Sequence, residues 1–463
     1  MSKTLAAALI FILSSIYLFS QDSTFIISKI VIEGNKITKA YIVQKELTFK
    51  IGDTLSIKDY ETKALRSKQN LLNTGLFNFA NLSPICDSSG ITIIITLKER
   101  WYTWPQPSAQ FEDRNFFDWW QYRTLDRLSY GLYLNQYNLW GRQETMELKL
   151  KFGYSQEIGV LYKIPYLIKT KNHGLNFSFL SVKRHEIYYE SANDKITYLK
   201  DVNAIMRNEF NAFIDYNYRS KLYQTHSVRL DYDAIQVQDT IVSTHENPNY
   251  LGNGNSRAAY FSLRYLYKKD KRDSKNYPLA GYDYELEIKK YGFNFTNTQI
   301  NTASLTCTAE YFTQLKGRFY FATGSRAKIY SSPSVPFYIA RGLGFAPEDV
   351  RGYEPYLISG TNYIVVKSNL KYQLMKPHVF KVPYLPFEKF NTFHFAIYLN
   401  ALLDFGYIRD YTKSNVNTLS NNLLMGYGLG LDFVTYYDKV LRLEYSINKK
   451  GLSGIYLSFI API

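Results

Sequence analysis

Side chains able to do chemistry are sparse in this sequence. Six histidines (His173, His185, His226, His245, His378 and His394) and two cysteines (Cys86 and Cys307) are the whole supply of imidazole and thiol. No Gly-x-Ser-x-Gly elbow, His-Glu-x-x-His pair or phosphate-binding glycine loop accompanies them. The chain therefore reads as a non-enzyme with no cofactor or metal, its histidines fillers of interfaces or of a polar interior and its cysteines unpaired. One charged pair stands out instead. The stretch EDVRGYEPY, residues 348–356, places Arg351 among glycines in a loop, where its planar five-donor fork favours a carboxylate. A lone loop arginine is ordinarily solvated. Asp404 changes that reading, because the alternation of its own segment turns it toward a polar interior, where an unpaired carboxylate is costly.

That alternation is the main structural signal. In FHFAIYLNALLDFG, residues 393–406, the odd positions are all apolar, while the even ones include His394, Tyr398, Asn400 and Asp404. MELKLKFGY sets Met146, Leu148, Leu150 and Phe152 against Glu147, Lys149 and Lys151. YDYELEIKK, YIVVKSNLKYQL and VLRLEYSIN repeat the pattern, with Lys367, Asn369, Lys371, Gln373, Arg442 and Glu444 on the polar side. Soluble antiparallel sheets alternate too. What distinguishes this chain is strands of nine to twelve residues continuing with no helical segment over residues 108–463, the lengths expected of outer-membrane strands. At roughly 22 residues per strand and turn, that region makes about 16 strands of a transmembrane β-barrel. Composition agrees: aromatic residues reach 17%, yet mean hydropathy is −0.27, as apolar-out, polar-in strands with aromatic girdles require. The net charge of +15 fits lysines solvated on loops and in a wet lumen, or contact with anionic headgroups. The basic residues are dispersed, which argues against nucleic acid as a partner.

Ahead of the barrel, residues 1–20 read as a signal peptide, with Lys3 followed by an apolar run too short to span a bilayer. Residues 22–100 predict a small α+β domain in the order strand, helix, helix, strand, strand. Its first strand covers Phe25 to Ile32, and Ser56 and Asp59 stand at capping-box spacing before a helix over 57–73. ITIIITLKER puts Ile91, Ile93, Ile95 and Leu97 on one face. An open edge of this sheet offers backbone groups to an extended chain by strand addition, a mode that reads little side-chain sequence. WYTWPQP, residues 101–107, then reads as a stiff interfacial linker.

IVIEGNKIT, GLFNFANL and ITIIITLKER, in this order and spacing, resemble a POTRA domain. DVRGYE together with LLDFGYI resembles the paired Arg-Gly and Asp-x-Gly motifs of the BamA and two-partner-secretion superfamily, and NLWGR, IPYL, KRDSKNYPLAGY, RLEYS and GIYLSFIAPI are similar to further landmarks of that barrel. The resemblance implies a periplasmic POTRA domain, a 16-strand outer-membrane barrel in a Gram-negative bacterium, and a loop folded into the lumen. It makes Arg351 and Asp404 a lumen latch, with Gly352, Tyr353 and Gly406 shaping the contact. The chain departs from the family in having one POTRA unit, in carrying Lys367 and Ser368 where many relatives are acidic, and in ending on API. The function implied is nucleotide-independent insertion of barrel proteins into the outer membrane or export of polypeptides across it. Its partners would be unfolded polypeptide clients, outer-membrane lipid and accessory lipoproteins. A passive pore for small solutes is the alternative, and it leaves the POTRA unit without a purpose.

Overall fold

The computed structural model describes residues 24–87, 90–111, 128–168, 172–243, 246–293, 300–345, 347–381, 392–412, 416–435 and 439–459. The expected signal peptide lies outside them.

The N-terminal domain is built on a sheet in which β1 (Thr24–Glu33) runs parallel to β4 (Gly90–Glu99), and β4 pairs antiparallel with β3 (Phe77–Asp87). A three-residue strand, β2 (Thr54–Ser56), which the expected order of elements does not contain, is added to the other side of β1. Two helices cover the sheet, α1 (Ala40–Gln44) and α2 (Ile57–Asn73). The predicted cap forms: the Asp59 amide donates to Ser56 Oγ at 3.1 Å, and that hydroxyl donates to Asp59 Oδ2 at 2.8 Å. Ile27, Ile42, Val43, Leu71, Phe77, Ile93 and Ile95 fill the core. Strand β3 is an open edge of this sheet.

Sixteen strands form the second sheet. They are β5 (Thr103–Phe111), β6 (Leu128–Leu139), β7 (Glu144–Gly153), β8 (Gln156–Ile164), β9 (His173–Arg184), β12 (Arg207–Lys221), β13 (Gln224–Val237), β14 (Arg257–Asp270), β15 (Gly281–Tyr291), β16 (Thr302–Gln314), β17 (Phe319–Tyr330), β18 (Asn362–Lys381), β19 (Thr392–Arg409), β20 (Leu424–Val434), β21 (Val440–Asn448) and β22 (Ser453–Phe459). Each pairs antiparallel with its neighbour in that order. The hairpin β10 (Glu186–Ala192) and β11 (Lys195–Lys200) leaves the sheet between β9 and β12. Its tip, Asn193 and Asp194, has positive φ at both residues. From there the Asp194 carboxylate accepts the amides of Thr418 and Leu419, beyond β19, so the hairpin crosses one mouth of the barrel.

The sheet is rolled up: Tyr277, between β14 and β15, bonds to Asp432 on β20, and Trp104 of β5 shares a cavity of about 650 Å³ with Lys439, next to β21. Alternation decides which side faces in. Tyr284, Leu286 and Ile288 are exposed on the outside while Asp283 is buried, and Leu399 and Leu403 are exposed while Asn400 and Asp404 are buried. On the outer surface, near the domain end, His173 stacks on Tyr218 and bonds Tyr216, and His226 bonds Tyr265, an aromatic belt of the kind that sits at a membrane interface.

Residues 101–107 correct one expectation. Thr103–Phe111, prolines included, is the first barrel strand, so the linker shrinks to residues 100–102. Two prolines ordinarily argue against a strand. They are tolerated because Tyr137 N donates to Tyr102 O at 2.8 Å, which directs the backbone groups of residues 102, 104 and 106 toward β6. Pro105 and Pro107 therefore face the unpaired edge, where the missing N–H breaks no ladder bond.

The N-terminal domain is seated on the barrel mouth. Arg219 forms a fork on Glu46 at 2.6 and 2.9 Å and bonds Tyr166. Glu99, buried at the junction, accepts from the amides of Ile37 and Thr38 and from the Thr38 hydroxyl, and Thr38 receives Asn138 of β6. Burial pushes the neighbouring Tyr102 phenol above its ordinary range, so it stays a neutral hydrogen-bonding group. Removing the Glu99 carboxylate strands those donors in a dry site, at about 1–3 kcal/mol for each buried group left unpaired. Glu99→Ala in the full-length protein is therefore expected to make residues 24–100 protease-sensitive while the barrel keeps its heat-modifiable migration on gels.

Candidate functional site

The loop between β17 and β18 folds back into the lumen. Gly342 and Gly344 take positive φ there, and Leu343 and Ile358 exchange two backbone hydrogen bonds that close the loop on itself. Val350, Tyr353 and Ile358 pack against Tyr363, Ile408 and Leu424 of the wall, so an apolar cluster holds the loop inside an otherwise polar interior.

Arg351 is 5% exposed and Asp404 has no exposed surface. The Arg351 Nε donates to Asp404 Oδ2 at 2.7 Å, Nη2 reaches Oδ1, and the Arg351 amide adds a bond to Oδ2 at 3.2 Å. This is a bidentate pair, the strongest arrangement open to an arginine and a carboxylate. Its remaining nitrogen, Nη1, donates to Asn369 Oδ1 at 2.8 Å and lies 3.4 Å from Glu444. Arg442 lies 3.8 Å from Glu444 and is itself forked on Asp432 at 2.6 and 3.0 Å. Two arginines and three carboxylates thus form one buried network across β18 to β21.

The predicted latch residues are brought together. Gly352 has φ of +86°, and a Cβ there would stand 3.0 Å from the Asn448 amide; its carbonyl accepts from the Asn448 side chain at 2.8 Å. Tyr353 is buried in the apolar cluster. At Gly406 a Cβ would meet Val350 Cγ2 at 2.5 Å. Lys367 bonds Asp349 of the loop at 3.0 Å and adds a second ionic tie.

Alternation places Asn369, Arg442 and Glu444 on the polar side and gives them no role; Asn369 and Glu444 contact Arg351 directly, and Arg442 is joined to it through Glu444. Gly426 carries no mark in the motifs of the loop or of β19. A Cβ built on it would overlap the Arg351 carbonyl oxygen, and it stands beside Asp404 in the β19–β20 register. Its only sequence signal is the run of alternating glycines at 426, 428 and 430, which leaves the wall bare where the loop lies against it. Among the described residues no histidine, cysteine or carboxylate group is placed to hold a metal.

Leaving one member of a buried ion pair alone costs about 3–5 kcal/mol, whereas exchanging both for apolar residues of similar volume is often neutral. Asp404→Ala is expected to lower the temperature of heat-modifiable unfolding, and Arg351→Met with Asp404→Leu to restore most of it.

Comparison with known proteins follows the same division. Residues 25–100 match the family model described as POTRA, surface antigen variable number repeat. No curated protein sequence matches the chain. Among solved structures, CdiB from Acinetobacter baumannii aligns over 94% of this chain and 73% of its own at 14% identity, with a TM-score of 0.50. BamA from Haemophilus ducreyi lacking POTRA domains 1–3 aligns over 94% and 84% at 15% identity and a TM-score of 0.49. CdiB from Escherichia coli aligns over 96% and 92% at 10% identity and 0.48. The chain therefore carries a POTRA domain seated on a sixteen-stranded antiparallel barrel, a fold similar to that of CdiB from Acinetobacter baumannii.

Proposed function

We propose that this protein handles polypeptides at the outer membrane of a Gram-negative bacterium, with the POTRA domain in the periplasm, inserting barrel proteins or exporting chains without nucleotide. The observation that carries the reading is the seam of the barrel. Strands β5 and β22 end the sheet, and no ladder between them is present among the described residues. Hydrocarbon cannot satisfy free backbone groups, so the two edges must pair or be paired by another strand. Residues 103, 105, 107 and 109 face that edge from β5, and two of these four are prolines without a donor. On β22, the bond from Asn448 N to Leu452 O turns residues 453, 455, 457 and 459 toward the same edge. Ile455 and Phe459 are 73% exposed, above the outward apolar residues of the inner strands, in keeping with an uncovered edge strand. A closure poor in donors opens cheaply, and an opened edge is a template for an incoming strand.

The open POTRA strand β3 supports the same reading, since it can hold an extended client by strand addition before the seam receives it. Folding and lipid burial of the client would supply the driving force. A passive solute pore is disfavoured because the Arg351 loop and Tyr277 occupy the lumen.

Restoring the two donors with Pro105→Val and Pro107→Val would add up to two hydrogen bonds at the seam. At about 1 kcal/mol each, these favour closure roughly thirty-fold. The expected outcome is a folded barrel whose assembly of a urea-unfolded barrel client into liposomes is slowed by about that factor. Unchanged assembly would remove the seam from the mechanism.

A further inference from the structure

The segment between β14 and β15, residues 271–280, touches both the POTRA helix and the interior of the barrel. At its base, Asn73 of α2 donates to the Asp273 carbonyl at 3.1 Å and accepts the Lys275 amide at 3.0 Å, and Arg66 donates to the Arg272 carbonyl at 3.1 Å. At its tip, Tyr277 is buried against the inner face of β18 to β20. The Tyr277 hydroxyl donates to Asp432 at 2.7 Å, its ring packs 4.9 Å from Tyr398, and Lys371 Nζ stands 4.2 Å above it. Asp432 is the carboxylate that holds Arg442, and Arg442 shares Glu444 with Arg351.

Between base and tip the segment is stiff. The Asp273 carboxylate accepts the amides of Ser274, Leu279 and Ala280, and the Asp273 amide donates to the Ala280 carbonyl. Arg272 anchors it sideways on Asp270, Asp283 and Glu310. A segment tied internally at both ends moves as a unit instead of absorbing a displacement within itself.

We infer that residues 271–280 form a finger that relays displacement of the POTRA domain to the lumen latch, through Tyr277, the Asp432–Arg442 pair and Glu444. The inference rests on the reading of the Arg351–Asp404 pair as a latch and of the POTRA domain as the client's first contact. A client strand that shifts α2 pulls Tyr277 from Asp432. Asp432 then holds Arg442 with one partner fewer, and the network around Glu444 can rearrange so that the loop leaves the lumen. Coupling of this kind is established by interaction energies between the sites and not by proximity.

The test is a double-mutant cycle on the purified full-length protein in planar bilayers, with no client present. Asn73→Ala removes the Asn73 bonds at the base of the finger and leaves the Arg66 bond. Tyr277→Phe keeps the ring and its packing and removes the tip hydrogen bond. Each is expected to raise the frequency of lumen openings about five- to tenfold, the effect of losing one buried hydrogen bond at the tip or two weaker ones at the base. The double variant is expected to equal the stronger single one, because both cut the same chain. Heat-modifiable migration confirms that each barrel is folded. No rise in either single variant, or factors that multiply in the double, overturns the relay. Because the recordings contain no client, that failure leaves the seam-based reading standing, and loss of client assembly would not by itself touch the relay.

Discussion

Hydrocarbon offers no partner for a backbone amide, and the architecture follows from that constraint. A sheet in lipid must roll until its edges meet, so its strands alternate between apolar residues outside and polar residues within. A sixteen-stranded cylinder is too wide for its own side chains to fill, so the interior has to be closed by something else. Here the filling comes from both ends: the Arg351 loop and the β10–β11 hairpin from one, Tyr277 and the POTRA domain from the other. Each element that enters meets a wall already charged, and the contacts are therefore ion pairs and carboxylate hydrogen bonds backed by small apolar clusters.

The same constraint explains what could be read in advance. Alternation is a property of each strand by itself, so the barrel, its strand number and the inward set Lys367, Asn369, Lys371 and Asp404 were legible. Helix α2 was legible to its ends because its cap, Ser56 with Asp59, is local. Arg351 could be paired with Asp404 because a buried carboxylate demands a cation and the loop supplied a glycine-flanked one. What remained hidden depends on residues distant in sequence. Pro105 and Pro107 looked like a linker because their position at a free edge is a fact about the whole cylinder. Glu46 and Arg219, 173 positions apart, carry no local mark of their meeting. Gly426 is recognised only by the carbonyl lying against it.

Ionic filling has a consequence that apolar filling would lack. Apolar contacts tolerate many near-equivalent arrangements, whereas a forked arginine accepts few, and a charge stripped of its partner in a dry interior is costly. The Arg351 network therefore favours discrete arrangements over gradual loosening. Arg351 has Asp404 and Glu444 within reach, and Arg442 has Asp432 and Glu444. Glu444 is shared, so a change at either arginine alters the balance at the other.

Seam and filling then have complementary weaknesses. On the proposed function the seam is the weak part of the wall, because two donors are missing there and opening it would sacrifice few backbone bonds. In the lumen the filling is held by ion pairs and carboxylate hydrogen bonds, which on the same proposal a new partner would replace without unfolding the wall. A barrel closed by a full ladder and packed with leucine would be more stable and would have neither path. Pro105 and Pro107 at the edge and the buried carboxylate of Asp404 in the wall are the positions where the sequence departs from what an inert cylinder needs, and that makes them the places to look for function.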